Sequence, residues 1–316
     1  MLNLNQLRTF HYVAKQRSFT VAAGMLFVTQ PAVTAQVKAL EEGCSLKLFK
    51  KIGRQVHLTE EGKTLFEYTQ KIFRYEKEIE TVIDDMKALK RGDLRIGSTK
   101  TYARYFMPSL LSSFHKDYPH IIIHLDEGSS LDMTNSLMEF KNEVAVIAKA
   151  EENPRVSFIP FSQEELIIIV SADHPLTAQE GISPQDLAKE PLIMKEMGSG
   201  TRKRVNMLFE RYHCKPNVLM ETSNNEFIKQ LVQKGEGISI LVKACVATEI
   251  AEGKLATLPL KGQQIYLDVS FAYLKNQPLS VPARAFEKIL KKLRSEDMRP
   301  QDIGALMLKI LAQQRG

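Results

Sequence analysis

Gln30, Thr34, Gln36 and Lys38 are spaced to lie along the outer side of one helix, and Lys50, Lys51 and Arg54 form a basic cluster shortly after. Glutamine can pair bidentately with adenine, a threonine methyl can meet a thymine methyl, and lysine or arginine neutralises phosphate. These side chains suit a reader of duplex nucleic acid; singly, each also suits an ordinary solvated helix face. Charge placement points the same way. The whole net charge of +6 falls in the first 58 residues, where eight lysines and arginines are opposed only by Glu41 and Glu42. A basic module on a neutral body fits a nucleic-acid reader with a separate second domain. A basic face with no partner would carry the same signature.

Catalytic patterns are missing. The seven histidines form no HExxH motif, and GxSxG, GxxxxGK[ST] and a strand-borne GxGxxG are all absent. No enzyme activity, metal or cofactor is therefore expected. Cys44, Cys214 and Cys245 are an odd, scattered set with no CxxC, as suits a reducing cytoplasm. Apolar runs such as Leu166–Val170 fall far short of the ~20 residues that span a bilayer. No apolar segment follows Met1 as a signal peptide would require. A cytoplasmic protein with no membrane partner is the expectation, and 316 residues make about two domains.

The elements that must hold the reading face are legible in the spacing. Leu4, Leu7, Phe10, His11 and Ala14 predict a helix over 4–16. Ser18 or Thr20 can cap a short second helix through Ala22, Ala23, Met25 and Leu26, which Gly24 weakens by ~1 kcal/mol. Thr29 caps a third, with Gln30 and Pro31 in its first turn and Val33, Val37 and Leu40 turned inward. Two helices joined by a tight turn make a helix-turn-helix pattern. Leu48 to Leu58 then reads as a β-hairpin with a basic tip, a wing. From Thr59 to about Leu89, Leu65, Ile72, Ile79 and Met86 recur every seven residues, with Tyr68, Tyr75, Val82 and Leu89 three places later. That is an a/d seam, which can pack on its own domain or pair with a second copy. The strict alternation favours pairing, and a dimer would present two reading heads. From Leu94 strands and helices alternate, predicting an α/β body with largely parallel sheets, with separate strands at 157–160 and 166–170. Ile303, Leu306, Met307, Ile310 and Leu311 suggest a last short helix.

The words Leu7-Arg8-Thr9-Phe10, Ser18-Phe19-Thr20-Val21-Ala22-Ala23, Thr29-Gln30-Pro31-Ala32-Val33-Thr34, Leu48-Phe49 and Leu58-Thr59-Glu60-Glu61-Gly62, in this order, resemble the winged helix-turn-helix of LysR-type transcriptional regulators. The likeness is dense over about 60 residues and looser beyond. There it is carried by Leu94-Arg95-Ile96-Gly97, Tyr118-Pro119, Gly198-Ser199-Gly200-Thr201-Arg202 and Gly235-Glu236-Gly237-Ile238. The resemblance implies a winged helix-turn-helix over 1–58 and a dimerisation helix over 59–91. It implies a two-subdomain effector domain like periplasmic binding proteins over 92–296, with residues 297–316 as an extension. One subdomain would be 92–162 with 266–296, the other 163–265. Gln30, Pro31 and Thr34 would enter the major groove, with Lys51 and Arg54 on backbone or minor groove, and Lys38 and Lys50 close by. The cleft would be lined by Ser98, Thr99, Lys100, Thr101, Ser129, Gly200 and Thr201. Hydroxyls and free N–H groups at helix N-termini favour an anion there, although each hydroxyl has the alternative role of a plain helix cap. The implied partners are double-stranded DNA, a small effector, further copies in a homodimer or homotetramer, and RNA polymerase if the protein activates. The competing reading is a solute-binding protein or enzyme working at the cleft, its basic head incidental.

Overall fold

The computed structural model describes residues 2–52, 55–149 and 153–293, and the chain divides into a unit ending at Asp85 and another beginning at Met86. The first unit comprises α1 (Leu4–Gln16), α2 (Phe19–Met25), α3 (Gln30–Cys44), β1 (Phe49–Ile52), β2 (Gln55–Leu58) and most of α4 (Glu60–Lys87). Caps form where the side-chain chemistry allows: Ser18 Oγ accepts from the Val21 N–H at 3.2 Å, and Thr29 Oγ1 from the Ala32 N–H at 3.4 Å. Such a cap contributes about 0.5–2 kcal/mol. Val33, Val37 and Leu40 are buried as the spacing predicts. Leu40 joins Leu7, Phe10, Ala14 and Leu48, while Val33 and Val37 join Val13, Ala22 and Ala23.

β1 and β2 pair antiparallel, Phe49 opposite Leu58 and Lys51 opposite Val56. The hairpin tip, with Arg54, lies outside the described residues. Glu41 fastens this hairpin to α3: it accepts the N–H groups of Leu48 at 2.8 Å and Phe49 at 3.2 Å and pairs with Lys47 at 3.0 Å. Burial pushes its pKa up, but these donors outweigh burial and hold the carboxyl below its ordinary range. Gly62 lets α4 start against the hairpin, since a Cβ there would lie 2.1 Å from the Leu48 carbonyl oxygen. α4 stops at Lys87, so Leu89 is not on it; Leu89 sits in a left-handed turn at φ 57°.

The second unit runs β3 (Gly92–Thr99), α5 (Lys100–Tyr105), α6 (Met107–Asp117), β4 (Ile121–Gly128), α7 (Ser130–Met138), β5 (Val144–Ala148) and β6 (Val156–Ser171). It continues through α8 (Pro184–Leu187), β7 (Leu192–Lys195), α9 (Gly200–Arg211), β8 (Val218–Thr222), α10 (Asn225–Gln233), β9 (Ser239–Val242), α11 (Ala247–Ala251), β10 (Leu255–Leu258), β11 (Ile265–Leu274) and α12 (Val281–Leu293). Among the described residues, seven strands share one sheet in the order β10-β6-β11-β5-β3-β4, with β9 also on β6, while β7 and β8 make a separate parallel pair. The large sheet is mixed, not largely parallel. β3 runs parallel to β4 and β5, but β11 is antiparallel to β5 and β6, and β6 to β9 and β10. Nor does β6 break in two. It is one strand because β11 pairs along it from Leu166 back to Val156, slipping register once between Val269 and Ser270. No local pattern announces a partner a hundred residues away.

These two long strands serve two large cores, besides a smaller cluster of Met133, Leu137, Ala145 and Ile147 against Val156 and Ala272. Leu94, Ile96, Phe106, Phe114, Phe161, Val269, Phe271 and Phe286 fill one; Leu166, Ile168, Ile193, Phe209, Ile228, Ile240 and Leu267 fill the other. The change of core between Phe161 and Leu166, and between Leu267 and Val269, makes two lobes with a cleft where their helices begin. The suggested helix at 303–311 lies outside the described residues.

Candidate functional site

On α3 the expected reading face is exposed: Gln30, Pro31, Thr34 and Lys38 all point to solvent. Gln30 Nε2 donates to Thr34 Oγ1 at 3.0 Å, and Thr34 Oγ1 donates to the Gln30 carbonyl at 3.1 Å. The two polar heads are thus held together on one turn, with no buried partner to give up. Lys38 stands 3.6 Å from Glu42. Gln36 does not belong to this face: it is half-buried and accepts a hydrogen bond from Thr9 Oγ1 at 2.5 Å. It faces α1 because, two residues after Thr34, the helix has turned about 200°. Lys50 and Lys51 are exposed on β1. Phe27, in the turn before α3, is 95% exposed, and no spacing argument singled it out.

Along α4, Tyr68, Ile72, Tyr75, Ile79 and Met86 are exposed, and Val82 is half-buried. Leu65 is turned the other way, against the cluster of Leu7, Phe10 and Leu40. Ile83, outside the heptad positions, adds to the exposed row. His11 on α1 is buried against α4, 3.1 Å from Thr69 Oγ1 and packed on Phe66 and Phe73. Burial, with Lys15 nearby, pushes its pKa below the usual histidine value.

The second unit carries a small cleft between its lobes, lined by Thr99, Lys100, Thr101, Ser129, Gly200 and Thr201 among the expected residues. Its cavity volume is about 30 Å³, more than the ~10–15 Å³ that a single water needs. The hydroxyls differ in what they are free to do. Ser129 is consumed in a capping box, its Oγ accepting from the Asp132 N–H at 3.1 Å. Thr101 Oγ1 accepts from Asn225 Nδ2 at 3.1 Å. Thr99 precedes α5 without making a side-chain cap, and its Oγ1 is buried with no hydrogen-bond partner. Ser98 is not at the wall: it is fully buried, its Oγ 3.4 Å from the carbonyl oxygens of Val146 and Thr99. It sits on β3 with its side chain turned into the sheet's far side, because neighbouring strand residues face opposite ways.

Several lining residues escaped the sequence reading. Ser130 is 1% exposed and its Oγ has no partner. Lys195 ends the buried strand β7 at 7% exposure, where a charged residue closing the run Leu192-Ile193-Met194 was the available signal. Its Nζ donates to the Ser223 carbonyl at 2.6 Å and to Asn225 Oδ1 at 2.8 Å, with Glu196 at 3.3 Å. Desolvation holds its pKa below the usual lysine value although Glu196 pulls it back up. Lys100, from the other lobe, donates to Ser223 Oγ at 2.7 Å. Two ammonium groups from opposite walls thus meet on one short segment. Arg104–Glu226 at 3.0 Å and Tyr105 donating to the Cys245 carbonyl at 3.2 Å also bridge the lobes. Gly198 and Gly200 permit the closeness: a Cβ on Gly198 would lie 2.8 Å from Leu131, and one on Gly200 2.6 Å from Ala148. The arrangement can hold a small anion by charge, hydroxyl donors and the N-terminus of α9. Among the described residues, no group of three or more metal-ligating side chains is present.

Comparison with known proteins matches this geometry. Residues 4–63 match the bacterial regulatory helix-turn-helix protein model of the lysR family, and residues 87–294 the LysR substrate binding domain. The chain is 38% identical over 283 residues to the HTH-type transcriptional activator CmpR of Synechocystis, covering 90% of this chain and 93% of that one. The regulatory domain of Synechocystis CcmR, solved in complex with 2-PG, superposes with a TM-score of 0.61 at 30% identity, covering 66% of this chain and 99% of that one. A full-length OxyR variant of Pseudomonas aeruginosa, at 23% identity, shares the fold with a TM-score of 0.74, covering 92% of this chain and 99% of that one. The chain belongs to the LysR family: it is a LysR-type transcriptional regulator with a helix-turn-helix DNA-binding domain and an effector-binding domain.

Proposed function

We propose that this regulator reads duplex DNA through Gln30, Pro31 and Thr34, with Lys38, Lys50, Lys51 and Arg54 on the phosphates or minor groove. We propose that it answers to a small anion held by Thr99, Lys100, Thr101, Ser130, Lys195, Gly200 and Thr201. The observation that carries the second half is the meeting of Lys100 and Lys195 beside two buried hydroxyls, Thr99 and Ser130, that lack partners. Buried polar groups without partners are rare, and a ligand with several acceptor oxygens would satisfy both hydroxyls.

In this reading residues 1–58 form the reading head, 59–91 the pairing helix, and 92–296 the two-lobed effector domain. The exposed row Tyr68, Ile72, Tyr75 and Ile79 packs against a second copy, supplying two heads for a two-part site. The protein works in the cytoplasm, by binding and not by catalysis, and engages RNA polymerase where it activates. An effector that binds one arrangement of the oligomer better than another shifts the spacing of the heads.

A mobility-shift assay on the DNA upstream of its own coding region, with and without 3-phosphoglycerate, tests the proposal. A retarded band whose affinity or footprint changes with the anion is the expected result. Equal retardation of unrelated duplexes would mean binding by charge alone without sequence reading, and a ligand chemically altered after incubation would return the enzymatic reading.

A further inference from the structure

Among the described residues, Glu196 is the one acidic side chain lining the cleft. Its Oε2 is buried and, although 3.3 Å from Lys195 Nζ, meets no hydrogen-bond donor in acceptable geometry. Lys195 directs two donors elsewhere, to the Ser223 carbonyl and Asn225 Oδ1. The ammonium therefore offsets the charge of Glu196 without saturating its oxygen. A buried carboxylate oxygen without a donor is unfavourable, and in a recess for anions it also repels the ligand it faces. Both penalties vanish if the ligand itself brings the missing donor.

We propose that Glu196 is a selectivity residue: it accepts a hydrogen bond from the effector, so the effector is a small anion that also carries a donor, such as a hydroxyl beside its acidic group. This rests on the cleft being an anion site, as proposed above. The acidic group takes the lysines and the unpartnered hydroxyls of Thr99 and Ser130, while the donor completes Glu196 Oε2. An anion with no donor meets Glu196 only as a like charge. Sites that hold a buried acceptor discriminate strongly against analogues lacking the matching hydrogen.

Isothermal titration of the full chain with two matched pairs provides the test: glycolate against acetate, and 3-phosphoglycerate against 3-(phosphonooxy)propionate. Each pair differs by one hydroxyl. The wild type is expected to prefer the hydroxylated member by about tenfold or more, the range of a hydrogen bond to a charged acceptor. Glu196→Gln is expected to narrow that preference to about threefold or less, chiefly by tightening the donor-less member, because the amide removes the like charge. Equal binding of both members by the wild type, or an unchanged preference in Glu196→Gln, overturns the proposal while leaving the anion site standing. Lys195→Met separates the two layers: it should weaken both members of a pair alike. If neither pair binds the wild type, the anion site itself fails and the role of Glu196 falls with it. Should Glu196→Gln not fold, the wild-type preference within each pair decides the matter.

Discussion

The reading head and the effector cleft solve opposite problems. On α3 the side chains proposed to read DNA are exposed, neighbours in sequence, and satisfied by each other through the Gln30–Thr34 hydrogen bonds. In the cleft the groups proposed to hold the effector are buried or half-buried, drawn from segments a hundred residues apart, and in part unsatisfied, as at Ser130 and Thr99. A surface that must meet many sequences before the right one holds its groups in water. A site for one small ligand can keep buried groups in want of a partner and recover that energy on binding.

Close backbone approach supports both regions, so the sharpest break is to add a methyl. Gly62→Ala, with its Cβ 2.1 Å from the Leu48 carbonyl oxygen, is expected to destabilise the first unit by about 3 kcal/mol, the upper part of the usual overpacking range. Gly200→Ala should destabilise the second by about 1–3 kcal/mol and abolish ligand-induced stabilisation. Urea denaturation with and without anion measures both.

A pair of hydroxyl deletions then tests the contrast itself. Thr34→Ala should leave folding unchanged within ~0.5 kcal/mol yet blunt sequence discrimination by about 1–3 kcal/mol, read by competition between the operator and a point-mutated site. Ser130→Ala should do the reverse in the free protein. Removing an unpaired buried hydroxyl raises stability to urea, by about 1 kcal/mol, while anion affinity falls. A lower urea midpoint for Ser130→Ala would mean its hydroxyl is already satisfied.

A smaller effect belongs to the first unit alone. His11 is buried with its pKa depressed below 6.5, so it folds neutral. Its contribution is complete above the unfolded value of ~6.5 and is lost as pH falls through that value toward the folded one. Amide exchange in α1 and α4, corrected for intrinsic rates, should quicken as pH falls below about 6.5, and His11→Phe should flatten that dependence. Smallest is Lys50→Ala, expected to weaken all duplexes alike and to reduce the salt slope of binding by about one.

The first unit was legible because its determinants are local. Helical periodicity buried Val33, Val37 and Leu40, and Ser18 and Thr29 became caps through contacts three residues away. Where the reading erred there, a tertiary contact intervened: Gln36 was drawn inward by Thr9, and Leu65 was taken into the core beneath the exposed row. In the second unit, alternating patterns gave the elements but not the direction of β11 nor the continuity of β6, since strand pairing is made across long stretches of chain.

By itself, then, the sequence determined the class of the protein, the exposed face of α3 and the row along α4, because each depends on spacing within a few turns of one helix. Only the tertiary structure decided which hydroxyls at the cleft are consumed as caps and which stay free. It alone brought Lys195 and Glu196 to face Lys100 across the cleft. Burial and hydrogen-bond satisfaction are properties of a whole neighbourhood, and no single segment of the chain contains that neighbourhood.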